Sequence, residues 1–338
     1  MRLVKYAAIF EGIGGFGLAF DKAGWTCTAQ VEINKHRQKV LAHHRPDTPL
    51  MGDVADVHGA DLGAPDLVVG GFPCQGVSYG APNTRAGLRD ARSSNYWQFH
   101  RLVGEVQRVV DESRPEWVII ENVGGLLRSG PEGDRGADME AVLRSLVELG
   151  YGVSSRTVDS TGVGSTQRRR RIYIVGHRSG DCAVSASVLA LPGSGSRGAV
   201  ATPSTRRARA ERPAPVVVAG ADSDEFVVWR KSVNPQTNQH FAKWVRADYL
   251  NTLAESEGGY GPNRLRQRHL VLQNGRLRQL VPDEWEAAQG FPMGWTAMIP
   301  DSERFKALGD AMNVHAASWL AQQIDSTRKS LSLLSSVR

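Results

Sequence analysis

The feature that most limits what this chain can fold into is an alternation of short apolar runs with amphipathic ones along its first half. Leu3 to Phe10, Thr26 to Glu32, Asp66 to Gly70 (DLVVG), Trp117 to Glu121 (WVIIE) and Arg171 to Val175 (RIYIV) read as strands. Phe16 to Ala23, Lys35 to His43 and Met139 to Leu149 carry helical spacing, the last closed by Gly150. Strands that alternate with helices predict an α/β fold with a mainly parallel sheet covered on both faces.

The texture changes after His177. Residues 179–215 are rich in Ser, Gly, Pro, Ala and Arg and read as a linker. Residues 216–274 interleave aromatics with basic and amide side chains, as in Trp229-Arg230-Lys231 and Lys243-Trp244-Val245-Arg246, and read as a smaller, irregular second domain. Order returns from Leu280 to Phe291 and in a helix-like stretch from Ala311 to Ile324, and the chain beyond Ser326 reads as a frayed tail. With 338 residues there is room for two domains. The expected division is a first domain at 1–185, a second with its basic linker at 186–277, a return segment at 278–326 that completes the first, and a tail at 327–338.

Composition excludes several classes. No apolar run approaches the roughly 20 residues of a membrane helix. The N-terminal apolar stretch is too short, and too soon followed by glycines, for a secretory signal. Three cysteines without a CxxC pair argue against a disulfide framework and against zinc, and fit an intracellular, cytoplasmic setting. A net charge of +6 permits nucleic-acid binding without requiring it.

Phe10-Glu11-Gly12-Ile13-Gly14-Gly15-Phe16 follows a strand and opens a helix, where glycines let the backbone turn tightly and approach a ligand. The order is neither GxGxxG nor a P-loop. Glu32 ends the second strand about 20 residues on, where a carboxylate can accept both ribose hydroxyls. Asp53, with Val54, follows the expected third strand and is placed to meet an adenine amino group. The set favours a purine nucleoside pocket, and these residues alone would fit NAD almost as well. Past the strand DLVVG comes Gly71-Phe72-Pro73-Cys74-Gln75-Gly76-Val77-Ser78, at the same sheet edge as the glycine turn. Pro73 fixes its own φ, so this string can hold a thiol at the strand end.

Together with the glycine turn, this string resembles the C5-cytosine-specific DNA methyltransferase family, whose signature includes Pro-Cys-Gln followed by Ser. Further motifs occur in the family's order: Glu121-Asn122-Val123, Gln167-Arg168-Arg169-Arg170-Arg171, Arg278…Gln289-Gly290-Phe291-Pro292 and Gly309-Asp310-Ala311-Met312. The resemblance runs from Phe10 to about Val314. It departs at Asp310, where the family usually has Asn; at Ala287, where Arg is common; and at Gly164-Ser165-Thr166, which replaces the usual Val-Pro.

The resemblance implies a Rossmann-like S-adenosyl-L-methionine-dependent domain joined to a smaller target-recognition domain. It implies methylation of carbon 5 of a flipped cytosine in duplex DNA, with Cys74 as nucleophile and Glu121 at ring nitrogen 3. Of Arg169 and Arg171, which are expected not both to face the base, one holds the cytosine O2, Arg171 being favoured. The cofactor set is Phe10, Gly12, Gly14, Gly15, Glu32, Asp53, Val54, Pro73 and Asp310. Gln75, Ser78 and Gln167, with Arg230 and Lys231 in the second domain, are the DNA-contacting candidates. Arg206, Arg207, Arg209 and Arg212 are assigned at most to phosphates. A monomer acting on double-stranded DNA, with a separate restriction endonuclease, is the expected setting. An RNA-directed enzyme, a catalytically silent DNA-binding module and a nicotinamide-dependent oxidoreductase are the alternatives.

Overall fold

The computed structural model describes residues 3–73, 88, 95–109, 115–131, 134–191, 227–233, 240–247, 249–253, 269–273 and 276–336. The first sheet comprises β1 (Lys5–Ile9), β2 (Thr26–Val31), β3 (Leu50–Met51), β4 (Leu67–Gly70), β5 (Trp117–Val123), β6 (Gly152–Asp159) and β8 (Arg170–His177). The short strand β7 (Gln167–Arg168) precedes β8. Around the sheet run helices α1 (Gly15–Lys22), α2 (Lys35–His44), α3 (Asn95–Val109), α4 (Ala137–Glu148) and α5 (Cys182–Val188). The strand order is β3-β2-β1-β4-β5-β8-β6. The ladders β3–β2–β1–β4–β5 are parallel, and β8 runs antiparallel to both β5 and β6. Two core clusters flank the sheet, and alternate strand residues feed each. Tyr6, Ala8, Val69, Ile119 and Val175 go to one face; Ala7, Ile9, Val68, Ile120 and Ile174 go to the other. That two-sided burial is why these strands read as unbroken apolar runs.

Strand order reverses between β1 and β4, and ligands of open α/β sheets bind outside such a point, at the carboxyl ends of the strands. The β1–β4 register pairs Ile9 with Gly70. The glycine turn and the segment that approaches Cys74 therefore leave the sheet side by side.

Residues read from sequence as irregular form a regular antiparallel sheet, ordered β10-β9-β12-β13. Its strands are β9 (Val227–Val233), β10 (His240–Ala247), β12 (His269–Gln273) and β13 (Arg276–Gln279). Aromatic and β-branched residues favour strands, and their mixture with basic residues hid that tendency. The two-residue strand β11 (Leu250–Asn251) pairs in parallel with β7 in a separate two-stranded sheet and ties this region to the segment that leads into β8. Helices α6 (Pro282–Gln289), α7 (Asp301–Asp310) and α8 (Val314–Ser336) complete the fold.

The frayed tail expected after Ser326 is not found. Helix α8 continues to Ser336; Thr327 hydrogen-bonds Ser187 at 3.0 Å, and Arg328 lies 3.5 Å from Glu116. Among the described residues, no helix is long and apolar enough to cross a membrane, and no cluster of His, Cys, Asp and Glu could hold a metal ion.

Candidate active site

The glycine turn is built around two carboxylates. Glu32, buried at the end of β2, accepts the Gly12 N–H at 2.8 Å through Oε2 and the Asn34 N–H at 2.9 Å through Oε1. Burial pushes its carboxyl above the usual range, while Arg37 and the two amides pull it back. Glu11 lies inside the turn: its Oε1 accepts the Gly17 N–H at 2.9 Å and stands 3.9 Å from Arg45 Nη1. Burial raises Glu11 to about 7 against Arg45, which lowers it. Phe10 and Gly12 both have left-handed backbones, at φ 58° and 64°. Among the described residues, a Cβ on Gly12 would meet nothing within 4 Å, so none of them closes the turn there. A Cβ on Gly15 would stand 2.5 Å from the Met312 carbonyl, so only glycine lets the block 309–312 press against the turn. Asp53 is exposed, and its Oδ1 accepts the Ala55 N–H at 3.0 Å; Val54 beside it is buried.

The second half of the site is the carboxyl end of β5. Gly71 lies against Glu121, whose Oε2 would be 3.2 Å from a Cβ on the glycine. Asn122 donates from Nδ2 to the Phe72 carbonyl at 3.1 Å. The chain from Gly71 to the half-buried Pro73 is thereby pinned to β5. Cys74, Gln75 and Ser78, which follow, lie outside the described residues, as do Arg206, Arg207, Arg209 and Arg212.

Arg171 Nε is 3.1 Å from Glu121 Oε1, an ion pair in which that oxygen accepts no hydrogen bond among the described residues. Arg169 is buried and donates from Nη1 to the Gly309 carbonyl at 2.9 Å. Burial and the neighbouring Arg171 lower its guanidinium to about 10, against Glu121, which raises it. Arg169, which lies between β7 and β8, Arg171 and Tyr173 all interact electrostatically with Glu121.

Gln167, read as a DNA contact, is fully buried, and neither amide atom has a hydrogen-bond partner among the described residues. The pairing of β7 with β11 and a cluster of serines carry it inside. Ser160 donates to its carbonyl, and Ser165 Oγ accepts its N–H at 3.1 Å. Ser165 also accepts from Asn313 at 2.9 Å and donates to Ala288 O at 3.1 Å. The unusual Gly164-Ser165-Thr166 loop is thus tied to the return segment. Arg230 and Lys231 lie in β9, where Arg230 pairs with Val245 and His269, and Lys231 with Trp244.

The profile of C-5 cytosine-specific DNA methylases matches residues 4–190, more than half of the chain. The chain belongs to the C-5 cytosine-specific DNA methylase family. This cytosine methylase is 23% identical over 339 residues to type II methyltransferase M.HhaI of Haemophilus parahaemolyticus, covering 96% of this chain and 95% of the relative. It is 31% identical over 175 residues to type II methyltransferase M.DsaV of Dactylococcopsis salina, a match to 52% of this chain but only 46% of that protein. Two solved structures share the fold. The Entamoeba histolytica methyltransferase EhMeth superposes with TM-score 0.63 at 13% identity, over 96% of this chain and 99% of that one. Dnmt2 of S. pombe gives 0.61 at 16% identity, over 96% and 99%.

Sequence reasoning missed three residues of the candidate site. Asn122 was quoted only as part of a motif, yet it fixes the approach to Cys74. Glu11 passed as a spacer between Phe10 and Gly12. Arg37, on α2, pairs with Asp310 at the end of α7, 273 residues away in sequence. Asn122 and Arg37 act through partners distant in the chain, and Glu11 through Gly17 and Arg45, which the fold brings to it.

Proposed function

We propose that this DNA (cytosine-5) methyltransferase moves a methyl group from S-adenosyl-L-methionine to carbon 5 of a cytosine flipped out of a specific duplex sequence, through a covalent bond to Cys74. The observation that carries the reading is the Glu121–Arg171 pair at the sheet edge. The segment that leads into Cys74 is laid directly on that carboxylate.

Glu32, held by two backbone amides, keeps lone pairs for further hydroxyl donors, and no described residue crowds Gly12 beside it. These residues fit an adenosine, with Phe10, Gly14, Gly15, Asp53, Val54, Pro73 and Asp310 around it. When bound, S-adenosyl-L-methionine supplies an electrophilic methyl group on a sulfonium.

The chain's own residues prepare the acceptor. The Cys74 thiolate adds to carbon 6 of the ring, and the electron pair of the 5,6 double bond becomes available at carbon 5. Glu121 hydrogen-bonds ring nitrogen 3 and the exocyclic amine, sharing a proton as charge builds on the ring. Arg171 braces Glu121 and reaches O2, and Arg169 fixes the strand from below. After methylation, loss of the carbon-5 proton expels the Cys74 sulfur and restores the aromatic ring. Extrusion of the base from the stack costs about a few kcal/mol. The sheet β9–β13 is the proposed target-recognition region, with Arg230 and Lys231 among its DNA contacts and Gln75 and Ser78 on the flanking backbone.

The decisive experiment offers the enzyme duplex DNA containing 5-fluorocytosine together with S-adenosyl-L-methionine. The expected result is a denaturation-resistant protein–DNA adduct, absent in Cys74→Ala. No adduct with the wild-type chain, or methyl transfer confined to tRNA, overturns the proposal.

A further inference from the structure

Asp310 stands where an amide is usual in the family, and a carboxylate is a poor neighbour for the carboxylate end of an amino acid. The structure supplies a partner. Arg37 donates from Nη2 to Asp310 Oδ2, and that is the one hydrogen bond its guanidinium makes among the described residues. Guanidinium carries five N–H donors in a planar fork, so most of Arg37's capacity is uncommitted.

Both halves of the pair are held in place. Asn34 Oδ1 accepts the N–H groups of His36 at 2.9 Å and Arg37 at 3.2 Å, which caps α2 and fixes the Arg37 backbone. Asp310 ends α7, two residues before the Met312 carbonyl that presses on Gly15. Glu32 interacts electrostatically with both Arg37 and Asp310. The pair therefore sits at the Glu32 side of the glycine turn. Between α2 and α7 lies a cavity of about 210 Å³ lined by Asn34, His36, Arg37, Glu303, Lys306 and Ala307, so the guanidinium borders open space.

We infer that Arg37 and Asp310 together form the subsite for the zwitterionic amino-acid end of the cofactor, Arg37 taking the α-carboxylate and Asp310 the α-ammonium. This rests on the cofactor reading above. An ion pair is complementary to a zwitterion in a way that neither partner is alone. Asp310 by itself would repel a carboxylate, and Arg37 by itself would repel an ammonium. The pair thus replaces the neutral amide with two charges of opposite sign, and α2 becomes part of cofactor recognition. The competing view is that Arg37–Asp310 is only a latch between α2 and α7.

The test is calorimetric binding to the full chain of three ligands. These are S-adenosyl-L-methionine, its decarboxylated analogue, which keeps the amine but lacks the carboxylate, and 5′-methylthioadenosine, which lacks the amino-acid end. The wild-type chain is expected to prefer the carboxylated ligand over the decarboxylated one by roughly tenfold or more, as a charge-assisted pair implies. Arg37→Gln should abolish most of that preference and weaken 5′-methylthioadenosine far less, since Arg37 acts on it only through Glu32. Asp310→Ala should weaken both amine-bearing ligands against 5′-methylthioadenosine. Retention of the preference in Arg37→Gln, or equal weakening of all three ligands, overturns the subsite and supports the latch. If the wild-type chain binds none of the three, the cofactor reading itself falls, and the subsite with it.

Discussion

Single side chains decide both the chemistry and one odd electrostatic property of this fold. Glu121→Gln keeps the size of the residue but loses the charge that pairs with Arg171. It should lower kcat by at least about a hundredfold while cofactor affinity stays nearly constant, as single-turnover kinetics and calorimetry would show. Glu11 gives a different kind of expectation. Its folded carboxyl titrates at about 7, above the ordinary 4.5, chiefly because it is buried. The native state therefore keeps a proton that the unfolded chain releases. The resulting stability is present below about pH 4.5 and is lost as pH rises through about 7. Glu11→Gln preserves an acceptor for the Gly17 N–H and removes the titration. Relative to wild type, the variant should gain up to about 3 kcal/mol between those limits, measured by urea unfolding at a series of pH values. A difference that does not vary with pH would show that Glu11 is not the titrating group. Cys27 carries no comparable chemistry, since burial raises its thiol to about 12 and keeps it protonated.

At the scale of elements, the meeting of the glycine turn with the block 309–312 is the tightest constraint. Gly15→Ala drives a methyl group into the Met312 carbonyl and side chain. It should cost about 1–3 kcal/mol in thermal or urea unfolding and weaken the cofactor in parallel. Much of this level was legible in the sequence. The strands DLVVG, WVIIE and RIYIV are continuously apolar, and the sheet buries them on both faces. What resisted reading was set by distant partners. Helix α3 and strand β6 mix polar residues into their patterns, and no element was assigned there. Gln167 sits beside an arginine run, which looks like solvated surface; only the serine cluster and the β7–β11 ladder show it to be interior. Arg37 resembles any basic residue on an exposed helix face until Asp310 is brought beside it. The glycine turn and the Glu121–Arg171 edge were therefore readable from motifs as local geometry, whereas the residues that hold them were not.

For the whole molecule, the governing fact is that the first sheet is finished by the last helix. From α8, Ala316, Ala317, Trp319, Leu320, Ala321 and Ile324 are buried in the core cluster that also contains Phe16 and Phe20 of α1. Each large apolar side chain so buried contributes about 1.5–3 kcal/mol, against a typical total stability of 5–15 kcal/mol. A chain ended after Asn313 should show no cooperative melting transition. One ended after Ser330 loses the half-buried Leu331 and the exposed Leu333 and Leu334, none of them in the core cluster, and should melt within a few degrees of the full chain. Calorimetric scans of the two truncations check this. The same architecture sets a clock on biosynthesis. The face of α1 that α8 covers is synthesised well before α8 itself. A nascent chain must keep that greasy face out of trouble until α8 emerges, and the core beside α1 stays unfinished until then.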